Sequence, residues 1–233
     1  MATKSRIKTE ARPTSTVEQY IKVIFSQQER AEGEIVGMKQ LADAMAVTPG
    51  TATSMVKHLS AHALVDYTPR KGVLLTATGR KLAVTMIRRH RLIETFLEQV
   101  LGYDWTEVHE DAEALEHAVS ERFIERIDTY LEYPQTDPHG DPIPDSSGAI
   151  ERRLSVPLDR CSEGDQVTVV RIGDEDPEFL ILMKEHMLTP GEVFLVTEIN
   201  PTAGTLSVCH IESKALFTLG LAAGARILVA PIH

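Results

Sequence analysis

The sequence has 233 residues, of which 42% are hydrophobic and 25% charged, which is typical of a globular protein with one large domain or two to three small ones. It contains no run of about 18 apolar residues and no apolar N-terminal segment of the secretory type. We therefore expect neither a membrane span nor export, and a cytoplasmic location. The two cysteines, Cys161 and Cys209, are too few for a disulfide framework and are not spaced like a zinc site.

Charge is divided unevenly along the chain. Residues 1–91 carry 15 Lys and Arg against 7 Asp and Glu, whereas residues 92–233 carry 9 against 27. A basic N-terminal part favours binding to a polyanion such as nucleic acid. The acidic part that follows it either tolerates or uses negative charge. The alternative is that the charged residues cluster by chance.

Helices followed by a hairpin are predicted for the N-terminal third of the chain. Apolar residues at helical spacing predict helices over about residues 14–30 and 36–47. The stretch "TPGTATSMVKHLSAHALV" (48–65) predicts a third helix, with Thr48 as N-cap and a proline at its first position. The second and third helices describe a helix-turn-helix, and "LVDYTPRKGVLLTATG" (64–79) adds a strand–turn–strand wing. We predict a winged helix-turn-helix DNA-binding domain over residues 11–85.

The front of the third helix and the turn of the wing supply the candidate DNA contacts. Hydroxyls and backbone amides at the helix front are expected mainly to hold phosphates, with Thr51 and Ser54 reaching base edges. Because no Arg or Gln lies at that front, we expect weak base discrimination and a contribution from DNA shape. The predicted DNA-binding residues are Thr48, Gly50, Thr51, Thr53, Ser54, Lys57, Arg70 and Lys71.

The middle of the chain is predicted to be helical. A long helix begins near Thr78 and continues to about Leu101, and two shorter helices follow at about 106–118 and 120–131. Thr106 and Ser120 are their predicted N-caps. The next stretch, "PQTDPHGDPIPDSSGAI" (134–150), has four prolines and two glycines, which predicts a linker without regular structure. We predict a helical domain over residues 86–134 and a Pro-rich linker over 135–154.

Short β-rich runs dominate the rest of the chain. They are "DQVTVVRI", "EVFLVTEI", "TLSVCHI" and "ARILVAPI", with a short helix in "DEDPEFLILMKEHML" between the first two. Short strands at regular spacing predict a small β-barrel over residues 155–233. The predicted fold class is therefore α+β, with an N-terminal winged helix-turn-helix, an all-α domain and a small C-terminal β-barrel.

The helix "VHEDAEALEHAVS" (108–120) is rich in residues that bind cations. At about 100° per residue its imidazoles and carboxylates border the apolar stripe instead of opposing it. Burying carboxylates is costly without a counter-charge, and a divalent cation supplies one. Carboxylate and imidazole without thiolate suit Mn(II), Fe(II) or Zn(II). The candidate ligands are His109, Glu113, Glu116 and His117 on this helix, with His90 and Glu94 one turn apart on the long helix.

The acidic helix is also compatible with a solvated surface or with a catalytic metal site. Acidic helices with scattered histidines are commonly exposed to solvent. A metalloenzyme would need an open coordination position and a substrate cleft, and the sequence indicates neither. It lacks the H-E-x-x-H spacing, a Gly-rich phosphate loop and a nucleophile elbow. We therefore predict that the protein is not an enzyme.

Three motifs in order carry a resemblance to a known family: "RRHRLIETFL" (88–97), "VHEDAEALEHAVS" (108–120) and "DPHGDPIP" (137–144). Placed behind a winged helix and ahead of a small barrel, they resemble the diphtheria-toxin-repressor family of metal-dependent transcriptional regulators. The family includes iron-dependent repressors and manganese transport regulators, and the resemblance covers about residues 14–233. It implies an SH3-like (FeoA-like) C-terminal domain, a homodimer on palindromic double-stranded DNA, Mn(II) or Fe(II) as cofactor, and repression of metal-uptake genes.

The resemblance also implies two sets of metal ligands. Glu113 stands where iron-type members have Cys and manganese-type members have Glu, and the motif continues with Glu116 and His117. Gln19 stands where the N-terminal helix of the family gives Met or Asp. The second set corresponds to His90, Glu94 and His109.

Several positions depart from the family pattern. Lys22 replaces a further Glu of manganese-type members, and a protonated lysine is not a ligand. Arg91 matches the anion-binding arginine of the family, but its Ser and Asn partners are replaced by Asp137 and Asp141. With Gln19, these departures motivate the alternative that the chain is a winged-helix regulator that has lost metal control and responds to another signal.

Overall fold

The computed structural model describes residues 14–30, 34–151, 153–173 and 176–232. The predicted start of the DNA-binding domain, at residue 11, lies outside them. The chain divides between Met86 and Ile87 into two compact units. The four-part division drawn from the sequence stays a prediction.

The first unit contains three helices and a two-stranded hairpin: α1 (Ser15–Arg30), α2 (Met38–Ala44), α3 (Pro49–Ala61), β1 (Val65–Thr68) and β2 (Gly72–Leu75). The two strands are antiparallel, with Val65 opposite Leu75. Ile21, Leu41 and Leu59 are fully buried, so all three helices contribute apolar residues to the core. The predicted winged helix-turn-helix is confirmed.

Local chemistry explains how α3 and the wing form. Thr48 caps α3, because its Oγ1 accepts a hydrogen bond from the Thr51 backbone N–H at 3.2 Å. The wing packs closely against the segment before α2, where Val36 pairs with Val73. Gly72 has a φ of +142°, and a Cβ there would lie 2.2 Å from the Val36 carbonyl oxygen. Only glycine permits this approach.

The helices α4 (Ala77–Leu101), α5 (Val108–Glu116) and α6 (Glu121–Tyr130) follow. Ser120 caps α6 as predicted, accepting from the Phe123 N–H at 3.3 Å. The prediction that Thr106 caps α5 was wrong, since that helix begins two residues later and has no side-chain cap. The Thr106 N–H and hydroxyl both donate to Asp104 Oδ1, at 3.1 and 2.9 Å. Asp104 therefore closes a separate turn before the helix.

The C-terminal part is an antiparallel sheet of six strands: β3 (Val156–Pro157), β4 (Gln166–Ile172), β5 (Val193–Asn200), β6 (Thr205–His210), β7 (Leu216–Gly220) and β8 (Ile227–Pro231). Their spatial order is β3-β8-β4-β5-β6-β7. The helices α7 (Pro177–Glu185) and α8 (Leu221–Gly224) and a 3-10 turn (Leu158–Arg160) accompany them. The small SH3-like β domain is confirmed, although over the described residues its sheet is not closed, because β3 and β7 remain edges. The sequence prediction missed those two strands.

The Pro-rich segment that begins at residue 134 contains no helix or strand up to residue 151, as its composition predicts. It is nevertheless packed into the second unit. Ile143 belongs to the apolar core of the helices, and Arg88 Nη1 donates to the Pro144 carbonyl at 2.6 Å. On the other side, the Ile172 N–H donates to the His139 carbonyl at 2.9 Å. The segment is thus held between α4 and β4. None of the helices in the described ranges is long and apolar enough to cross a membrane.

Candidate metal centre

Three predicted ligands meet where α4 and α5 pack together. One helical turn separates His90 from Glu94, and His90 Nε2 lies 2.9 Å from Glu94 Oε1. From α5, His109 Nδ1 lies 3.0 Å from His90 Nε2 and 3.2 Å from Glu94 Oε1. His90 and Glu94 are only 7% and 3% exposed. The ligand atoms of the three residues lie within 4.8 Å of one another, so this group is able to hold a metal ion.

A second group shares Glu94 and was missed as a ligand set by the sequence analysis. Glu94, Asp137 and His139 are all buried, and their ligand atoms also lie within 4.8 Å of one another. Asp137 Oδ1 accepts hydrogen bonds from the backbone N–H groups of His139 and Asp141, each at 2.9 Å. His139 Nε2 donates to the Trp105 carbonyl at 2.8 Å, which leaves Nδ1 as the ring nitrogen with a lone pair. The motif "DPHGDPIP" was the available signal, but its prolines indicated a linker.

The electrostatics of the shared cluster suit a cation. Burial alone would raise the pKa of the Glu94 carboxyl, but the charge of His90 and the hydrogen bonds from His109 and His90 outweigh it, so the pKa is lowered. At Asp137, burial raises the pKa well above its ordinary value, the charges of Asp141 and Glu94 raise it further, and Arg91 opposes them. The Asp137 carboxylate therefore has too little positive charge around it. A divalent cation between Glu94 and Asp137 would supply that charge.

Arg91 is paired with carboxylates of the chain itself. Its Nη2 lies 2.7 Å from Asp141 Oδ1, and its Nε lies 3.5 Å from Asp137 Oδ2. Arg171 on β4 reaches the same Asp141 oxygen at 2.9 Å. Asp137 and Asp141 thus bind the Arg91 guanidinium, to which the resemblance assigns an anion. Asp141 also links α4 to β4 through its ion pair with Arg171.

The remaining predicted ligands, on α5 and at its C-cap, lie farther from one another. Glu116 is fully buried, with Oε2 at 2.8 Å from His90 Nδ1 and Oε1 at 3.6 Å from His117 Nε2. Glu113 Oε2 lies 3.8 Å from His109 Nε2. Within the described part of the chain, Glu113, Glu116 and His117 do not form a group whose ligand atoms all lie within 4.8 Å. Their joint role as ligands stays a prediction.

In the first unit, Gln19 is half-buried on α1, and its Oε1 has no hydrogen-bond partner among the residues that the structure describes. Its role as a ligand stays a prediction. The hydroxyl of Thr53 donates to the Pro49 carbonyl at 2.7 Å, so it is engaged within α3. The other predicted DNA-binding residues are exposed: Thr48, Gly50, Thr51, Ser54, Lys57, Arg70 and Lys71.

Each part of the chain matches the model of a known domain family. Residues 13–73 match the model of the iron dependent repressor N-terminal DNA binding domain. Residues 76–145 match the iron dependent repressor metal binding and dimerisation domain, and residues 156–231 match the FeoA domain.

Individual relatives agree with these models. The chain is 28% identical over 184 residues to the iron-dependent repressor IdeR of Mycobacterium tuberculosis, covering 79% of this chain and 77% of the relative. It is 33% identical to the transcriptional regulator MntR of Oceanobacillus iheyensis over 125 residues, 54% of this chain and 83% of the relative. A solved manganese-dependent transcriptional repressor in complex with manganese has 40% identity and a TM-score of 0.85, covering 93% of this chain and 100% of that chain. The chain belongs to the iron-dependent repressor family of metal-dependent, DNA-binding transcriptional repressors.

Proposed function

We propose that the protein is a manganese-responsive repressor that binds a palindromic DNA site as a homodimer and controls genes for metal uptake. The observation that carries this proposal is the buried carboxylate–imidazole cluster around Glu94. Two groups of three ligands share that carboxylate. Burying carboxylates among apolar side chains is costly, whereas a divalent cation that they coordinate stabilises them.

The donor set favours Mn(II) over softer ions. Every candidate ligand offers oxygen or nitrogen, and Glu113 occupies the position where iron-type members of the family have a thiolate. Carboxylate oxygens suit the harder divalent ions, whereas thiolates select softer ones. Because Zn(II) binds most nitrogen and oxygen sites more tightly than Mn(II), both ions are compared in the same binding assay.

Each residue has a definite role in the proposal. His90, Glu94 and His109 would hold one ion, and Asp137 and His139 would extend the cluster on the other side of Glu94. The family implies four further ligands, which are Glu113, Glu116, His117 and Gln19. When bound, the metal supplies the positive charge that these buried carboxylates require. The metal increases DNA binding only if the conformation that binds DNA also binds the ion more tightly than the other conformations of the protein do.

The test is metal-dependent DNA binding by the full chain. A DNA site is first selected from a random library with the Mn(II)-loaded protein. Fluorescence anisotropy then compares binding with Mn(II), Fe(II), Zn(II) and a chelator. We expect tight binding with Mn(II) and weak binding with the chelator, and equal affinity under all four conditions would overturn the proposal.

Two matched variants distinguish the loss of a carboxylate in the cluster from the loss of any other carboxylate nearby. Glu94→Gln removes a shared carboxylate, whereas Glu110→Gln removes an exposed carboxylate from α5. We expect the first variant to lose stimulation by Mn(II) and the second to retain it. Full stimulation in Glu94→Gln would show that the metal acts elsewhere.

A further inference from the structure

Two exposed histidines lie one helical turn apart at the end of α3, in the stretch "KHLSAH" (57–62). His58 is in the last turn of the helix, and His62 is its C-cap. Side chains four positions apart are neighbours on one face of a helix, about 6 Å apart along its axis. The two imidazole rings are accordingly close, with centroids 4.4 Å apart and planes inclined by 50°.

A hydrogen bond determines which nitrogen of His62 is able to bind a metal. Its Nδ1 lies 2.8 Å from the backbone carbonyl oxygen of His58. Because a carbonyl oxygen only accepts, Nδ1 carries the hydrogen and donates. In the neutral ring the lone pair is therefore on Nε2. Metal-binding histidines commonly have this arrangement, in which one ring nitrogen donates to a carbonyl or carboxylate and the other coordinates the ion.

Capping of the helix explains only half of the pair. A histidine at a helix C-terminus often donates to one of the last carbonyl groups, and His62 does so. The ring of His58 makes no such bond among the residues that the structure describes, and its contact there is with the ring of His62. Two adjacent imidazoles, one of them held in the tautomer of a ligand, indicate a shared ion.

We propose that His58 and His62 form a binding site for Zn(II) or an ion of similar preference. The ligands are Nε2 of His62 and a ring nitrogen of His58. Since both side chains are exposed, water completes the coordination sphere. Two histidines at positions i and i+4 of one helix are a known zinc-binding spacing. The pair belongs to the first unit, whereas the cluster around Glu94 belongs to the second.

The donor set gives this site a different selectivity from the cluster around Glu94. The pair offers imidazole nitrogen and no carboxylate, whereas the cluster combines both. For a given site, affinity rises along the divalent series from Mn(II) to Cu(II), and Zn(II) binds more tightly than Mn(II). Without a carboxylate to favour the harder ion, the pair should therefore bind Zn(II) and leave Mn(II) in solution.

The bound ion would lie on the face of α3 that is predicted to meet DNA. At about 100° per residue, His58 and His62 fall within about 20° of Thr51 around the helix. The ion adds positive charge to that face. It also joins residues one turn apart, so it opposes opening of the last turn of α3.

Hydrogen exchange of the full chain, with and without Zn(II), tests the site at that turn. The His62 N–H donates to the His58 carbonyl at 3.3 Å, and the Leu64 N–H donates to the Leu59 carbonyl at 3.0 Å. Both amides therefore report opening of the turn. His58→Gln and His62→Gln each remove one imidazole. A control that combines Ser60→His with His62→Gln keeps two histidines but places them about 160° apart around the helix.

Each protein is compared with itself without Zn(II), which removes any effect of a substitution on the metal-free turn. In wild type, Zn(II) at about 100 times its dissociation constant should slow exchange of the two amides about 100-fold. His58→Gln, His62→Gln and the control with Ser60→His should lose most of this slowing. Equal slowing in wild type and His58→Gln would place the ion elsewhere and refute the proposal, as would unchanged exchange in wild type.

Mn(II) tests the selectivity in the same assay. We expect no slowing with Mn(II) that depends on His58, and a slowing as large as that with Zn(II) would refute the argument from the donor set. This result is separate from the proposed function. Loss of Mn(II) stimulation in the DNA-binding assay would overturn that function and leave the histidine pair unaffected.

Discussion

Replacing Gly140 with alanine tests whether the segment at residues 137–141 is a structural part of the metal centre. Gly140 has a φ of +87°, and a Cβ there would lie 2.0 Å from the Val170 carbonyl oxygen and 2.9 Å from Arg171 Cα. Both contacts are to the backbone of β4, so no side chain is able to swing away. The segment would have to move from the strand by about 1.5 Å to restore an ordinary contact.

The magnitude follows from two contributions. A side chain in the left-handed region costs about 1–2 kcal/mol, and forcing an extra carbon into a packed site costs about 1–3 kcal/mol. We therefore expect Gly140→Ala to lower the free energy of unfolding by about 2–5 kcal/mol. Gly164 is a matched control, because its φ is +90° and no atom of the described residues, apart from its chain neighbours, lies within 4 Å of its Cβ position. Gly164→Ala should lose only the first contribution, about 1–2 kcal/mol.

Two assays separate stability from ligand placement. Thermal melting of the metal-free protein should show the larger loss in Gly140→Ala, at about 2–4 °C per kcal/mol for a chain of this size. Calorimetry should show weaker Mn(II) binding in Gly140→Ala, because the displaced segment carries Asp137 and His139, and unchanged binding in Gly164→Ala. Wild-type Mn(II) affinity in Gly140→Ala would refute the reasoning that this segment supplies ligands.

Two further predictions concern charge. Because the folded pKa of Asp137 is raised above its ordinary 3.8, its contribution to stability is full below pH 3.8 and is lost as pH rises toward the folded pKa. The melting temperature of metal-free Asp137→Asn should therefore gain on wild type as the pH rises above 3.8, and saturating Mn(II) should reverse the order; a constant difference would contradict the pKa direction. For DNA, Lys57→Gln and Arg70→Gln should each lower the salt dependence of Mn(II)-stimulated binding by about one counterion, and an unchanged slope would remove that residue from the interface.

The local chemistry of the sequence was sufficient to predict the helices of the first unit and the position of His90 and Glu94 on one face of α4. Thr48 and Ser120 were recognisable as caps because a capping side chain and its partner lie only three residues apart. The spacing of His90 and Glu94 likewise defines one face of a helix. These features depend on neighbours in sequence, which is why one chain suffices to predict them.

The sequence was insufficient where distant or competing contacts decide the structure. Thr106 has the side chain of a cap, but Asp104, two residues earlier, accepts both of its donors. The prolines and glycines around Asp137 and His139 predict a linker, because they exclude regular structure but do not determine burial. The burial of these two residues comes from contacts remote in sequence, such as the carbonyl of Trp105 on one side and β4 on the other.

Because Glu94 belongs to both groups of candidate ligands, metal binding would affect more than the packing of α4 on α5. An ion held by Glu94, Asp137 and His139 would join α4 to the segment that follows the helices. That segment is tied to β4 through the Arg171–Asp141 ion pair, 2.9 Å, and through the close approach of Gly140. The free energy of metal binding would therefore strengthen the attachment of the sheet to the helices as well as the packing of α4 on α5. It follows that an Arg171→Ala variant, which alters no candidate ligand, should weaken Mn(II) binding at the Asp137 side of the cluster; unchanged calorimetric titrations would show that the sheet and the metal centre are independent.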